Sequence, residues 1–229
     1  MHVVVFDLDD TLYNEVDFLK SAFREIARIL TAGRDDADFV YNEMLSSYSR
    51  GANVFDELIQ HYKPAFSVEE LLQLYRNHKP LLSLDECTRN ALCALKDAGC
   101  VLGLITDGRT VTQKHKIASL KLHEFIDESD IIISELVGTE KPNEKNYRYF
   151  SEKYGCAQYY YVGDNVKKDF ITPNLLGWIT ICVKDNGRFI HKQNFDLDKN
   201  YLPQYMIEHI GEVYSIVHTI KEKAVNKNE

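Results

Sequence analysis

The stretch His2-Val3-Val4-Val5-Phe6-Asp7-Leu8-Asp9-Asp10-Thr11-Leu12 decides the fold. Val3 to Phe6 is a β-branched, apolar run that stops abruptly at Asp7. An apolar run without polar alternation predicts a strand, His2–Phe6, buried on both faces as in a parallel sheet. Asp7 and Asp9 follow at its end. If the chain stays extended there, residues two apart leave one side of the backbone. One carboxylate can then attack while the other handles protons. A solvated acidic turn is the competing reading.

Similar apolar runs recur at 100–105, Ile131–Ile133, 159–162 and Ile179–Val183. Helical spacing fills the gaps, with Ala91, Leu92 and Leu95 ahead of a C-capping Gly99, then 111–120 and Glu144–Tyr154. Strands alternating with helices imply an α/β fold: a Rossmann-like parallel sheet flanked by helices. Ligands of such sheets bind at the carboxyl ends of the strands. Trp178 is expected to pack at the sheet edge.

Residues 15–86 break the alternation. Phe18, Ala22, Ile26 and Ile29 recur at helical spacing, and Val54–Tyr62 suggests another helix. Ser67 with Glu70 forms a capping box before Leu71, and Pro80 stops that helix. This predicts an all-helical cap domain, 15–86, inserted into a core of 1–14 and 87–229. Linkers near 14–16 and 82–87 are expected to let the insert move. A turn within 46–52, containing Gly51, is a candidate contact for a leaving group or an ordinary interhelical connection. Tyr48 and Phe55 read more readily as core than as a stacking surface.

Composition bounds the function. The 229 residues carry 45% hydrophobic and 27% charged side chains with a net charge of −8. That balance fits a globular protein and argues against general nucleic-acid binding, since phosphates would be repelled. Cys87, Cys93, Cys100, Cys156 and Cys182 make no C-x-x-C pair and suggest free thiols in a reducing compartment. Acidic residues interrupt the apolar start and no run approaches a membrane span. The expectation is a cytoplasmic protein with no membrane partner, monomeric or homodimeric.

Three more clusters follow expected strands. Thr106-Asp107-Gly108 can present a hydroxyl and successive N–H groups to an anion, or simply cap a helix. Pro142, in Lys141-Pro142-Asn143, can start a helix in its first turn, putting the Lys141 ammonium at a helix N-terminus. Gly163-Asp164-Asn165, with Asp169 five residues beyond Asp164, suits a hard divalent cation or an Asx turn. Four clusters at strand ends of one parallel sheet would converge on one edge.

These residues resemble the haloacid dehalogenase superfamily. The segment from Phe6 to Leu12 is similar to its first motif, D-x-D-x-T; Thr106 to the second-motif hydroxyl; Lys141 to the third-motif lysine; Gly163, Asp164 and Asp169 to the acidic fourth motif. The helical insertion after the first motif resembles the branch with a C1-type cap, home to phosphoglycolate phosphatases, pyrimidine 5′-nucleotidases and phosphosugar phosphatases. Asp107 departs from the Asn of many relatives.

The resemblance implies a Mg²⁺-dependent phosphatase acting on a small phosphorylated metabolite: a nucleoside monophosphate, a sugar phosphate or phosphoglycolate. Asp7 is the implied nucleophile and Asp9 the acid and base. Asp7, the Asp9 carbonyl and Asp164 are the implied metal ligands. Thr106, Asp107, Gly108 and Lys141 would bind phosphate, with Asp169, Asn165 and Thr11 in support. Asp169 is expected to steer Lys141 or a metal-bound water. Two alternatives stand beside this. A β-phosphoglucomutase-like mutase needs a second basic site, for which the insert offers only scattered Arg24, Arg28, Arg34 and Arg50. An inactive binding module needs a lost nucleophile or ligand.

Overall fold

A computed structural model describes residues 1–32, 36–62 and 65–225; Arg34 lies outside them. Six strands form one sheet: β1 (His2–Phe6), β2 (Val101–Thr106), β3 (Ile131–Ile133), β4 (Gln158–Gly163), β5 (Ile179–Val183) and β6 (Tyr205–Ile207). Their spatial order is β3-β2-β1-β4-β5-β6. Every neighbouring pair is parallel. This is the expected α/β architecture. β1 is central, and the chain passes to β2 on one side and later to β4 on the other, so a crevice opens beyond the end of β1.

The helices are α1 (Glu15–Leu30), α2 (Ala37–Ser49), α3 (Val54–Tyr62), α4 (Val68–Asn77), α5 (Glu86–Asp97), α6 (Thr110–Ser119), α7 (Ser134–Val137), α8 (Glu144–Tyr154), α9 (Ile171–Leu175) and α10 (Gly211–Val225). Local chemistry sets their starts. Ser67 and Glu70 complete the capping box of α4, and Asp85 accepts the Thr88 N–H at 2.7 Å to cap α5.

Alternation along each strand divides the core. Val4, Phe6, Leu102, Leu104 and Val162 pack with Leu92, Leu95, Ile117, Val213 and Val217 of α5, α6 and α10. Val3, Val5, Tyr159 and Tyr161 face the other way, onto Tyr147 and Phe150 of α8. Helices α1 to α4 share a third cluster around Phe23, Ile26, Met44, Phe55, Leu58 and Leu71. Tyr48 and Phe55 belong there, both edge-on to Phe23.

The structure revises several expectations. The linker at 14–16 is absent, because α1 begins at Glu15 and buries Phe18 and Ala22 in the sheet's own cluster. Helix α5 begins at Glu86, which shortens the second linker. Pro142 precedes α8 rather than starting it; Asn143 is the cap, accepting the Lys145 N–H at 3.0 Å. The first half of 46–52 is the end of α2. Trp178 is not at the sheet edge: it is 2% exposed and stacks on Tyr159 with ring centroids 4.9 Å apart. Strand β6 was not anticipated, since three residues between polar neighbours carry no periodicity. Arg24 lies over the Tyr41 ring and Arg50 pairs with Glu57, so these two arginines form no joint phosphate site. Among the described residues, no helix is long and apolar enough to cross a membrane.

Candidate active site

The ends of β1, β2 and β4 deliver Asp7, Thr106 and Asp164 to the crevice. All three are buried. Carboxylate oxygens of Asp7, Asp164 and Asp169 lie within 4.8 Å of one another, close enough to share one ion. Gly163 makes that approach possible: a Cβ there would stand 2.5 Å from Asp169 Oδ2. The same oxygen accepts the N–H groups of Asp164 at 3.2 Å and Asn165 at 2.9 Å, which fixes the loop after β4. Thr11 Oγ1 donates to Asp164 Oδ1 at 3.3 Å.

Lys141 enters from the loop before α8. Its Nζ sits 2.6 Å from Asp7 Oδ1 and 2.9 Å from Asp169 Oδ1. Asp169 therefore pairs with the lysine. Burial pushes the Asp7 carboxyl up, Lys141 pulls it back, and it rests at about 7. Asp164 is raised well above the ordinary carboxylate range by burial and by the charges of Asp169 and Asp7. Burial disfavours the Lys141 ammonium, but Asp169 and Asp7 outweigh it and raise the lysine.

Three carboxylates and one ammonium leave this buried cluster at −2 when all are ionised. Crowded hard oxygen donors short of positive charge are the donor set a cation such as Mg²⁺ selects. The carboxylates of Asp7, Asp164 and Asp169 fit such an ion by charge, donor type and spacing.

The expected phosphate contacts separate into two kinds. The Gln113 amide donates to Thr106 Oγ1 at 2.5 Å, which leaves the threonine's own O–H free to donate. The Asp107 side chain spans the site: Oδ1 accepts the Lys141 N–H at 3.0 Å and Oδ2 pairs with Lys168 Nζ at 2.8 Å. The structure corrects the part assigned to Gly108. Its N–H, expected to bind phosphate, goes to Ser134 Oγ at 2.9 Å, and its φ of 137° marks a conformational role.

Asp9 turns from the cation cluster toward α6. Lys116 Nζ lies 2.7 Å from its Oδ1, the Tyr13 hydroxyl donates to the same oxygen at 2.5 Å, and Gln113 Nε2 donates to Oδ2 at 2.8 Å. Burial pushes Asp9 up, but Lys116 and these donors win and hold it below the usual carboxylate range. Asp10, by contrast, is structural: its oxygens accept the N–H groups of Glu15 and Ile190, both at 2.8 Å.

A cavity of about 160 Å³ opens on this cluster, bounded by Asp7, Asp9, Glu15, Lys141, Lys168 and His191. No residue of 46–52 lines it. Sequence reasoning missed Gln113, Lys116, Tyr13, Glu15, Lys168 and His191. One signal was available: Gln113 and Lys116 are three apart on the helix that starts just after Thr106, so they share a face.

Residues 4–183 match the model of the haloacid dehalogenase-like hydrolases. The chain is 30% identical to a glyceraldehyde 3-phosphate phosphatase of Methanocaldococcus jannaschii, across 96% of this chain and 98% of that one. It is 28% identical to a protein of the same name from Methanothermobacter thermautotrophicus, across 95% and 100%. Among solved structures, the HAD hydrolase YfnB of Bacillus subtilis, bound to magnesium, superposes with a TM-score of 0.69 at 19% identity, covering 94% of this chain and 98% of that one. A HAD phosphatase of Thermococcus onnurineus gives 0.59 at 22% identity, covering 95% and 98%.

Proposed function

The chain belongs to the haloacid dehalogenase-like hydrolases and is a phosphoric monoester hydrolase, and from that premise we propose that it releases phosphate from a small phosphorylated sugar, glyceraldehyde 3-phosphate or a close analogue, through an aspartyl-phosphate on Asp7. The observation that carries this reading is the convergence of Asp7, Asp164 and Asp169 within 4.8 Å around a lysine. The substrate for which the relatives are named supports the choice of leaving group.

Asp7 attacks phosphorus in line, and the bond to the leaving oxygen breaks as the acyl-phosphate forms. Asp9, a carboxylate in the free site, takes up a proton as the phosphate dianion binds beside it, gives that proton to the leaving oxygen, then takes one from the water that hydrolyses the intermediate. Thr106 and Lys141 hold the phosphoryl oxygens, while Asp107 fixes the Lys141 backbone. A carboxylate and a phosphate dianion repel by roughly 4 kcal/mol per unit pair at about 4 Å in an effective dielectric near 20. Asp7, Asp164 and the Asp9 carbonyl would hold a Mg²⁺ ion, which when bound would supply positive charge to offset this repulsion. Helices α1 to α4, the proposed cap of 15–86, exclude bulk water above the nucleophile.

The test is a phosphate-release panel with Mg²⁺: glyceraldehyde 3-phosphate, glycerol 3-phosphate, phosphoglycolate, a hexose phosphate and a nucleoside monophosphate. The three-carbon esters should give the highest kcat/KM, and excess EDTA should stop all release. Full turnover in EDTA, or preference for the nucleotide, contradicts the reading.

A further inference from the structure

We propose that Lys116 is a positioning residue for the reaction: it fixes the Asp9 carboxyl so that only Oδ2 exchanges a proton with the leaving oxygen and then with water. The proposal rests on the phosphatase reading above.

Lys116 is 3% exposed, although it lies on α6, a helix of polar residues. Burying an ammonium is costly, and a buried ion pair is often no better for stability than apolar packing. Its partners point to orientation instead. Besides Asp9, Nζ lies 3.4 Å from Glu15 Oε1 and stands 4.6 Å from the centre of the Phe18 ring. Asp9 comes from the loop after β1, whereas Glu15 and Phe18 belong to α1, the first helix of the insert. Lys116 thus ties the orientation of Asp9 to the seating of α1 on the core.

The consequence for Asp9 follows from counting lone pairs. A carboxylate offers about four acceptor positions, two on each oxygen. Oδ1 is filled by Lys116 and by the Tyr13 hydroxyl. Oδ2 takes one donor, Gln113, and keeps one acceptor position, and Asp9 lines the same cavity as Asp7. A proton on Oδ2 passes to the leaving oxygen, which keeps the electron pair of the broken P–O bond. The same Oδ2 then removes a proton from water as oxygen bonds to phosphorus and the bond from phosphorus to Asp7 breaks. Without Lys116 the carboxyl can rotate about its Cβ–Cγ bond, and the proton is no longer held on the leaving-group side.

Leaving-group chemistry separates this role from a structural one. An alkoxide must be protonated as it departs; p-nitrophenolate departs without a proton. The kcat/KM values for glycerol 3-phosphate and p-nitrophenyl phosphate are compared at saturating Mg²⁺ in the wild type, Lys116→Met and Lys116→Arg. The alkyl-to-aryl ratio should fall at least about tenfold in Lys116→Met, the lower end of what general acid catalysis contributes. Lys116→Arg should recover most of it, and Tyr13→Phe should lower the ratio less. If Lys116→Met fails to fold, Lys116→Gln repeats the test with a polar chain. Equal loss on both substrates, or no loss, overturns the proposal while leaving the phosphatase reading intact. A wild type inert on both substrates overturns that reading and the proposal with it.

Discussion

Lys141 Nζ stands 2.6 Å from Asp7 Oδ1, and Asp169 grips the same ammonium from its other side at 2.9 Å. The pair joins a loop to the central strand of the sheet, and the lysine side chain is only 1% exposed. Removing one member of such a pair leaves a buried charge without its partner. Lys141→Met should therefore cost roughly 3–5 kcal/mol of stability, measured by urea unfolding in EDTA, and should abolish turnover. An unaltered unfolding midpoint would contradict this account of the pair.

A divalent cation should stabilise the fold through Asp7 and Asp164. At a concentration about 100 times the dissociation constant, binding contributes roughly 2.7 kcal/mol, or about 5–10 °C in Tm for a chain of this size. Mg²⁺ should raise the wild-type Tm by that order, and Asp164→Asn should lose the shift. A variant that keeps the full shift would place the ion elsewhere.

The Asp7 carboxyl gives a pH dependence of definite sign. Burial, only partly offset by Lys141, raises it from its ordinary 3.8 to about 7 in the folded protein. Between those values the unfolded chain releases a proton that the folded protein retains. Stability from this group is therefore lost as pH rises from about 4 to about 7. In EDTA, Asp7→Asn should gain stability relative to the wild type across that window and level off above it. Chemical denaturation at several pH values measures the gap; a gap that shrinks with rising pH contradicts the assignment.

Phe18 tests whether the insert is anchored or hinged at its first residues. It is 1% exposed, packs in the sheet's cluster and lies beneath Lys116. Phe18→Ala should cost about 3–5 kcal/mol, as for other buried aromatics. A loss below about 1 kcal/mol would mean that α1 does not depend on this contact.

Much of this was legible in the sequence. Strands β1, β3 and β5 end where their apolar runs end, because a strand buried on both faces has no polar alternation to blur its limits. Asp7, Thr106, Lys141 and the Asp164 loop were legible as a set because each comes after such a run. Lys116 and Gln113 were not, because long polar residues on a helix ordinarily face solvent; here Glu15 and Phe18 of α1 meet Lys116, and Asp9 and Thr106 meet Gln113. His191 and Lys168 were hidden for a related reason. They reach the cavity only through the fold of the loops after β5 and β4, which carry no periodic signal. Strand β6 exists because Ile207 pairs beside Val183, a long-range contact that a three-residue segment cannot announce.

The central claim is the covalent step on Asp7. It is tested most directly by acid-quenching the Asp9→Asn variant during turnover of p-nitrophenyl phosphate, reducing with borohydride and sequencing the peptides by mass spectrometry. An acyl-phosphate at Asp7 is converted to homoserine at position 7, the expected result. An unmodified residue 7 alongside continued phosphate release, or homoserine at Asp164 or Asp169 instead, would contradict the account.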